Sequence, residues 1–230
     1  MTLSVSQLQV RYRGVTAVDG LDLTVEPGQC VALLGANGAG KTSALRGIGG
    51  LEPSTGSIRL GDQRLDGTPA SRRARAGLGH VLENRHVFKS LTVAENLKVA
   101  AGRANKADRK RKDPLDLLPE LREMLHRKAG GLSGGQQQML AIARAVAGAP
   151  EAIMLDEPTN GLAPKLVDRT VGILADLRDA GFAILLVEQR LEVAQQLDAD
   201  VVVLRHGRAE RRLRGTDPEL PDVLHAAYLS

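Results

Sequence analysis

Residues 35–42, Gly-Ala-Asn-Gly-Ala-Gly-Lys-Thr, limit what this chain can fold into more than any other stretch. They fit the phosphate-loop pattern Gly-x4-Gly-Lys-Thr. The apolar run Val31-Ala32-Leu33-Leu34 precedes them as a buried strand should, and a helix from Lys41 to Ile48 is expected to follow. Gly35, Gly38 and Gly40 let the backbone turn sharply and approach a ligand closely. Successive N–H groups then form a nest for phosphate oxygens, and the helix N-terminus adds its positive dipole end. Lys41 supplies a full charge to the outer phosphates, and the Thr42 hydroxyl is placed to ligate Mg²⁺. The plainer alternative is a Gly-rich turn with a surface lysine, and the later motifs weigh against it.

At 230 residues the chain is expected to form one large domain, or a domain with a subdomain. Aromatics make up only 2%, so the core has to be built from Ala, Val, Leu and Ile. The single cysteine, Cys30, excludes an internal disulfide and a Cys-based metal cluster, and reads as a small buried hydrophobe. Met1 is followed by strand-like alternation, not by a basic start and an apolar signal core. No apolar run approaches the ~20 residues that span a bilayer. The expected location is therefore the cytoplasm, with any membrane role supplied through a partner. The net charge of +4 permits anionic partners without requiring them. The basic clusters Arg72–Arg75, Lys106–Lys112 and Arg205–Arg214 read as solvated faces.

Alternation predicts strands around Leu3–Val10 and Leu21–Val25. Turns are expected at Glu26–Gln29 and Leu51–Gly56, with strands at Ser57–Leu60 and Leu78–Leu82. Thr92-Val-Ala-Glu95 is a capping box opening a helix to about Ala101. A basic loop over Arg103–Asp113, a helix over Leu115–His126 and another over Ser133–Ala147 follow. Residues 84–149 thus read as a helical insertion without strands. Strands and helices then alternate again: Ala152–Asp156, a helix from Pro164 to about Ala180, Ala183–Glu188, a helix over Leu191–Leu197, and Val201–Leu204. Such alternation implies a largely parallel sheet, giving an α/β core with an antiparallel β edge region and a helical subdomain.

Two further motifs carry chemistry. Met154-Leu-Asp-Glu-Pro158 ends a buried strand in a carboxylate at the carboxyl edge of the sheet. Asp156 can hold Mg²⁺, and the adjacent Glu157 can act as general base toward an attacking water. Leu132-Ser-Gly-Gly-Gln136 pairs Ser133 with Gln136 as a capping box, while Gly134 and Gly135 bare helix N-terminal N–H groups for a γ-phosphate. Either motif alone has an ordinary structural explanation, an acidic strand end or a helix start.

The phosphate loop, Leu-Ser-Gly-Gly-Gln and Leu-Asp-Glu-Pro, in that order, resemble the ATP-binding cassette (ABC) ATPases over nearly the whole chain. The resemblance implies ATP and Mg²⁺ as ligands and a head-to-tail pair of cassettes. ATP would lie between one phosphate loop and the partner's Leu132, Ser133, Gly134, Gly135 and Gln136. On the binding side it implies Gly35, Asn37, Gly38, Ala39, Gly40, Lys41, Thr42 and Ser43. Tyr12 matches the aromatic that stacks on adenine, Val18 matches a neighbouring apolar contact, and Gly161-Leu-Ala-Pro164 matches a loop touching the opposing site. Two positions depart from the general pattern: Glu83 stands where Gln is usual, and Gln189 where His is usual. Glu83 can ligate Mg²⁺ but adds negative charge. Gln189 can donate to a γ-phosphate but cannot titrate. They fit either a weakened, regulatory site or subfamily identity.

Glu83, Val-Glu-Gln189, Arg85-His-Val-Phe88 and Gln137-Gln-Met-Leu-Ala-Ile142 are similar to one ATPase subunit of branched-chain amino acid importers. Urea and short-amide importers carry close counterparts. The implied partners are membrane permease subunits, a second cassette of the same or another kind and, indirectly, a solute-binding protein, at the cytoplasmic face of the membrane. A cassette acting in DNA repair or on the ribosome usually adds a long coiled coil or a second cassette, which this sequence lacks. The basic runs also lack aromatics for base stacking, so no nucleic-acid partner is expected. A non-catalytic nucleotide sensor is disfavoured by Lys41, Asp156 and Glu157.

Overall fold

Alternate residues of the central strands face two separate apolar clusters. The computed structural model describes residues 1–102, 113–148 and 150–228. Cys30, Ala32 and Leu34 of β3 (Cys30–Leu34) enter one cluster, and Val31 and Leu33 enter the other. The same division runs through β7 (Ala152–Asp156) and β8 (Ala183–Val187), every residue of which is buried. Strands covered on both faces read as continuous apolar runs, as a parallel sheet requires. The sheet order is β10-β9-β3-β8-β7-β6, with β6 at Leu78–Val81, β9 at Asp200–Arg205 and β10 at Arg208–Arg214. All neighbours are parallel except the terminal hairpin β9–β10.

A second, antiparallel sheet in the order β2-β1-β4-β5 uses β1 (Leu3–Tyr12), β2 (Val15–Val25), β4 (Ser54–Leu60) and β5 (Gln63–Arg64). It shares one apolar cluster with α1 (Lys41–Gly49), which buries Ala44, Leu45 and Ile48. The opposite cluster is covered by α3 (Val93–Ala101), α5 (Gly134–Ala147), α6 (Pro164–Asp179), α7 (Leu191–Gln196) and α8 (Leu220–Tyr228). The capping box at Thr92 and Glu95 is formed, with the Glu95 carboxylate accepting from the Thr92 N–H at 2.8 Å. Between 84 and 148 the described residues hold helices and turns and one isolated bridge, Thr92 to Lys128, with no strand. Cys30 is buried, and loss of hydration pushes its thiol up to about 12. No helix is long and apolar enough to cross a membrane among the described residues.

Several expectations need correction. The turn over Leu51–Gly56 is shorter, because β4 already begins at Ser54. The helix expected over Leu115–His126 is broken: α4 covers only Pro114–Leu117, and a 3-10 segment runs from Pro119 to Met124. Leu118 between them has φ −130 and ψ 67, outside the helical region that a following proline disfavours. Of the basic loop Arg103–Asp113, only Asp113 is described; its carboxylate accepts from the Leu115 N–H at 2.8 Å and caps α4. The Lys106–Lys112 cluster lies outside the described residues. Arg205–Arg214 is a largely exposed face, as expected, and it is built on strand: Arg205 ends β9 and pairs with Glu210, while Arg208 and Arg214 of β10 pair with Asp19 and Asp200. Arg72–Arg75 is not simply solvated. It lies on α2 (Ala70–Arg75), and Arg73 is 3% exposed. Its guanidinium donates to the Gly47 carbonyl at 2.8 Å, to Ile48 at 2.6 Å and to Thr68 at 2.9 Å.

Arg73 thus satisfies carbonyls at the negative end of α1, the helix whose other end meets the phosphate loop. Arg73→Met keeps the packing stem and leaves those carbonyls buried without their charged donor. It is expected to cost about 2–4 kcal/mol of stability. Urea denaturation measures this, and a loss under about 0.5 kcal/mol would show that water replaces the guanidinium.

Candidate nucleotide site

The loop between β3 and α1 has its glycines at positive φ: Gly35 at 148, Gly38 at 81 and Gly40 at 102. A Cβ on Gly35 would lie 2.2 Å from the Leu204 carbonyl oxygen, and one on Gly40 would lie 2.3 Å from that of Ala17. Gly35 and Gly40 therefore let β9 and β2 close on the loop from behind. Gly38 meets nothing within 4 Å, so its side of the loop is open to a ligand. Lys41, 5% exposed, folds back across the loop, and its ammonium donates to the Gly35 carbonyl at 2.7 Å and to Ala36 at 3.0 Å. Burial holds the Lys41 pKa below its usual value, while Glu157, Asp156 and Glu188 favour its charge. Asn37 is exposed on the loop, Ala39 is buried, and Ser43 is half-buried in the first turn of α1.

The Thr42 hydroxyl donates to Asp156 Oδ1 at 3.0 Å, joining the first turn of α1 to the end of β7. Burial pushes the Asp156 carboxyl up to about 6; the Thr42 bond opposes this, and the charges of Glu157 and Glu83 reinforce it. A carboxylate that costs this much to ionise, beside two other acids and a hydroxyl, suits a divalent cation. No group of three or more His, Cys, Asp or Glu gathers as a metal site among the described residues. A cation here would therefore share oxygens from a phosphate ligand, as Mg²⁺ commonly does.

Glu157 follows with φ 46, and its N–H donates to the Val187 carbonyl at 3.0 Å. Two amides hold its carboxylate: Gln189 Nε2 donates at 2.6 Å and Asn160 Nδ2 at 3.1 Å. Lys41, Thr42, Asp156, Glu157 and Gln189 are thus brought together at one edge of the parallel sheet. Glu83 is exposed after β6, close enough to bear on Asp156.

Sequence reasoning passed over Asn160, Thr159 and Glu188. Glu188 is 2% exposed; its Oε1 accepts from the Thr159 hydroxyl at 2.7 Å and from its N–H at 3.2 Å. An acid continuing the apolar run Ala183–Val187 was the available signal that something inside had to receive it.

The elements at 132–136 form a separate helix start. Leu132 is 6% exposed within the apolar cluster, and the Ser133–Gln136 capping box is formed in both directions, at 3.3 and 3.0 Å. A Cβ on Gly135 would lie 2.5 Å from a Leu166 methyl, so Gly135 is where α6 packs against α5. The Arg85 guanidinium lies beside Gly134, 3.0 Å from an added Cβ. Tyr12 is half-buried at the end of β1, and Val18 is 0% exposed in the cluster behind the loop.

A sequence profile described as ABC transporter matches residues 18–160. The chain is 37% identical over 228 residues to the high-affinity branched-chain amino acid transport ATP-binding protein BraG of Pseudomonas aeruginosa, covering 96% of this chain and 98% of that protein. Among solved structures, an ATP-binding subunit of an ABC transporter is 28% identical with a TM-score of 0.82, covering 100% and 96% of the two chains. A dimeric bacterial ABC transporter cassette is 25% identical with a TM-score of 0.80, covering 94% and 99%.

Gly38 and Gly40 separate the two roles of glycine in the loop. Gly40→Ala meets both positive φ and the Ala17 carbonyl, whereas Gly38→Ala meets only positive φ, worth about 1–2 kcal/mol. Thermal unfolding of the two variants should place Gly40→Ala clearly lower. Equal melting temperatures would remove the close approach of β2 as the reason for Gly40.

Proposed function

Because the chain belongs to the ABC transporter family, we propose that it is the ATP-hydrolysing subunit of an importer for branched-chain amino acids or a related small solute. The observation that carries the reading is the meeting of Lys41, the Thr42–Asp156 pair and the Gln189–Glu157 pair at one sheet edge. The loop N–H groups and Lys41 bind the ATP phosphates, with Tyr12 against the adenine. Thr42 and Asp156, with Glu83 beside them, would hold Mg²⁺, which neutralises charge on the phosphates. Glu157, oriented by Asn160 and Gln189, takes the proton of the attacking water. Gln189 cannot exchange a proton, so its role is to fix the carboxylate and to donate a hydrogen bond.

Residues 84–149 are taken as the helical subdomain, and Ser133–Gln136 as the contact to ATP held by a second cassette, whether identical or related. The solute is inferred from the BraG likeness and from Glu83 and Gln189. Urea or short amides remain the second reading on the same residues. Permease subunits hold the chain at the cytoplasmic face of the membrane, and a solute-binding protein delivers cargo to them.

The docking surface for a permease is assigned to the loop after β6. Phe88 is 42% exposed, which supports a role for its ring at that surface. Its backbone is tied to α3: Asn96 accepts from the Phe88 N–H and donates to its carbonyl, each at 3.0 Å. The Arg144 guanidinium lies 4.4 Å from the ring centroid and donates to the His86 carbonyl at 2.6 Å. A cavity of about 560 Å³ opens alongside, lined by Leu51, Arg75, His80, Arg85, Val99 and Arg144 among others.

Glu157→Gln should lower steady-state Mg-ATP hydrolysis by about 10²–10⁴-fold while ATP binding survives. ATP should then accumulate as a bridge and shift the variant to a dimer in light scattering. Turnover within about threefold of wild type removes Glu157 as the base, and an ATP-insensitive monomer points to a different partner cassette. Phe88→Ala should cost about 2 kcal/mol or more of permease assembly, or uncouple hydrolysis from transport, with basal hydrolysis by the isolated chain nearly intact. A variant that assembles and couples normally would refute this docking surface.

A further inference from the structure

Helix α8 reaches the candidate site from the far end of the chain. Leu220, Leu224 and Ala227 are buried and seat the helix on β9 and β10. Tyr228, 41% exposed, sits one turn beyond Leu224 on the flank of that stripe. Its phenol O–H donates to the Gln189 main-chain carbonyl at 2.9 Å. Burial, followed by the charges of Glu188 and Glu192, pushes the phenol above its usual pKa and keeps that proton in place.

Gln189 is therefore held at three points. Its N–H donates to Glu188 Oε2 at 3.2 Å, its carbonyl accepts from Tyr228, and its side-chain amide donates to Glu157 Oε1 at 2.6 Å. Glu188 is in turn fixed by Thr159, two residues after Glu157. With both backbone polar groups engaged, the peptide plane at Gln189 is set, and with it the direction from which the amide leaves the chain. Without the phenol the carbonyl is free to turn toward water, and the amide spends less time on Glu157. A site group is only as well placed as the shell that supports it.

We propose that Tyr228 is a positioning residue for hydrolysis: through the Gln189 carbonyl it makes the seating of α8 a condition for holding the Glu157 carboxylate. This rests on the assignment of Glu157 and Gln189 made above. It gives helix α8 a role in the rate through Gln189.

The test uses the full chain, Mg-ATP and Tyr228→Phe, which keeps the ring and removes only the donor. The expected result is a fall in kcat of about fivefold, the worth of one neutral hydrogen bond, with KM for ATP unchanged. In a Gln189→Ala background the same substitution should cause no further loss. Backbone amides 188–190 should exchange faster with solvent in Tyr228→Phe than in wild type. Wild-type turnover in Tyr228→Phe, or an equal fractional loss with and without Gln189, overturns the proposal. If Glu157→Gln retains wild-type turnover, the hydrolysis assignment itself has failed. Amide exchange then decides alone, and unchanged exchange at 188–190 rejects the Tyr228 tie.

Discussion

Strands β3, β7 and β8 are covered on both faces, and this leaves their polar neighbours only the strand ends to occupy. Asp156 ends β7, Glu157 and Gln189 lie just past β7 and β8, and Lys41 and Thr42 open the helix that follows the β3 loop. The site is therefore a by-product of sheet burial: parallel strands with apolar interiors deliver their first polar residues to one edge. The Thr42–Asp156 hydrogen bond then locks two of these ends together across non-adjacent strands, with β8 between them. Strand burial sets where the charges are, and the loop glycines set how closely β2 and β9 pack behind them.

Electrostatics within the site are balanced without being neutral. Lys41 is one buried cation facing three acids, Asp156, Glu157 and Glu188, and it satisfies its protons on loop carbonyls. Asp156 is costly to ionise for the same reason, low hydration with like charges nearby. An arrangement of this kind is stable enough to fold yet gains from a ligand that brings phosphate to the lysine and a cation to the acids. The loop after β6 adds backbone strain: Asn84, Arg85 and His86 are consecutive left-handed residues, at φ 62, 66 and 43. Each costs on the order of 1 kcal/mol, held by Arg144 and Asn96. That segment links Glu83 to the exposed Phe88.

Much of this was legible in the sequence because the relevant signals are local. The apolar runs at Val31–Leu34, Ala152–Leu155 and Ala183–Val187 have no alternative to double-sided burial, and the capping boxes at Thr92 and Ser133 need only four residues each. What escaped was tertiary. Nothing near Arg73 in sequence says that the carbonyls it satisfies lie 25 and 26 residues earlier. Strand β10 is mostly charged and exposed, so it reads as a solvated face without revealing the pairing with β9. The break at Leu118 was locally visible, since Pro119 follows it, but the apolar spacing across Leu115–His126 concealed it. Asn160 and Glu188 act through partners whose proximity only the folded sheet creates.

Cys30 is the sole sulfhydryl of the whole sequence, and it lies in the doubly covered β3 with its thiolate suppressed. Alkylating reagents attack thiolates, so the native chain is in practice silent toward maleimides. A cysteine introduced at any exposed position would take a fluorophore or spin label alone, with no need to remove the native one. The packing that closes one strand thus makes the folded protein a ready frame for measuring distances while nucleotide comes and goes.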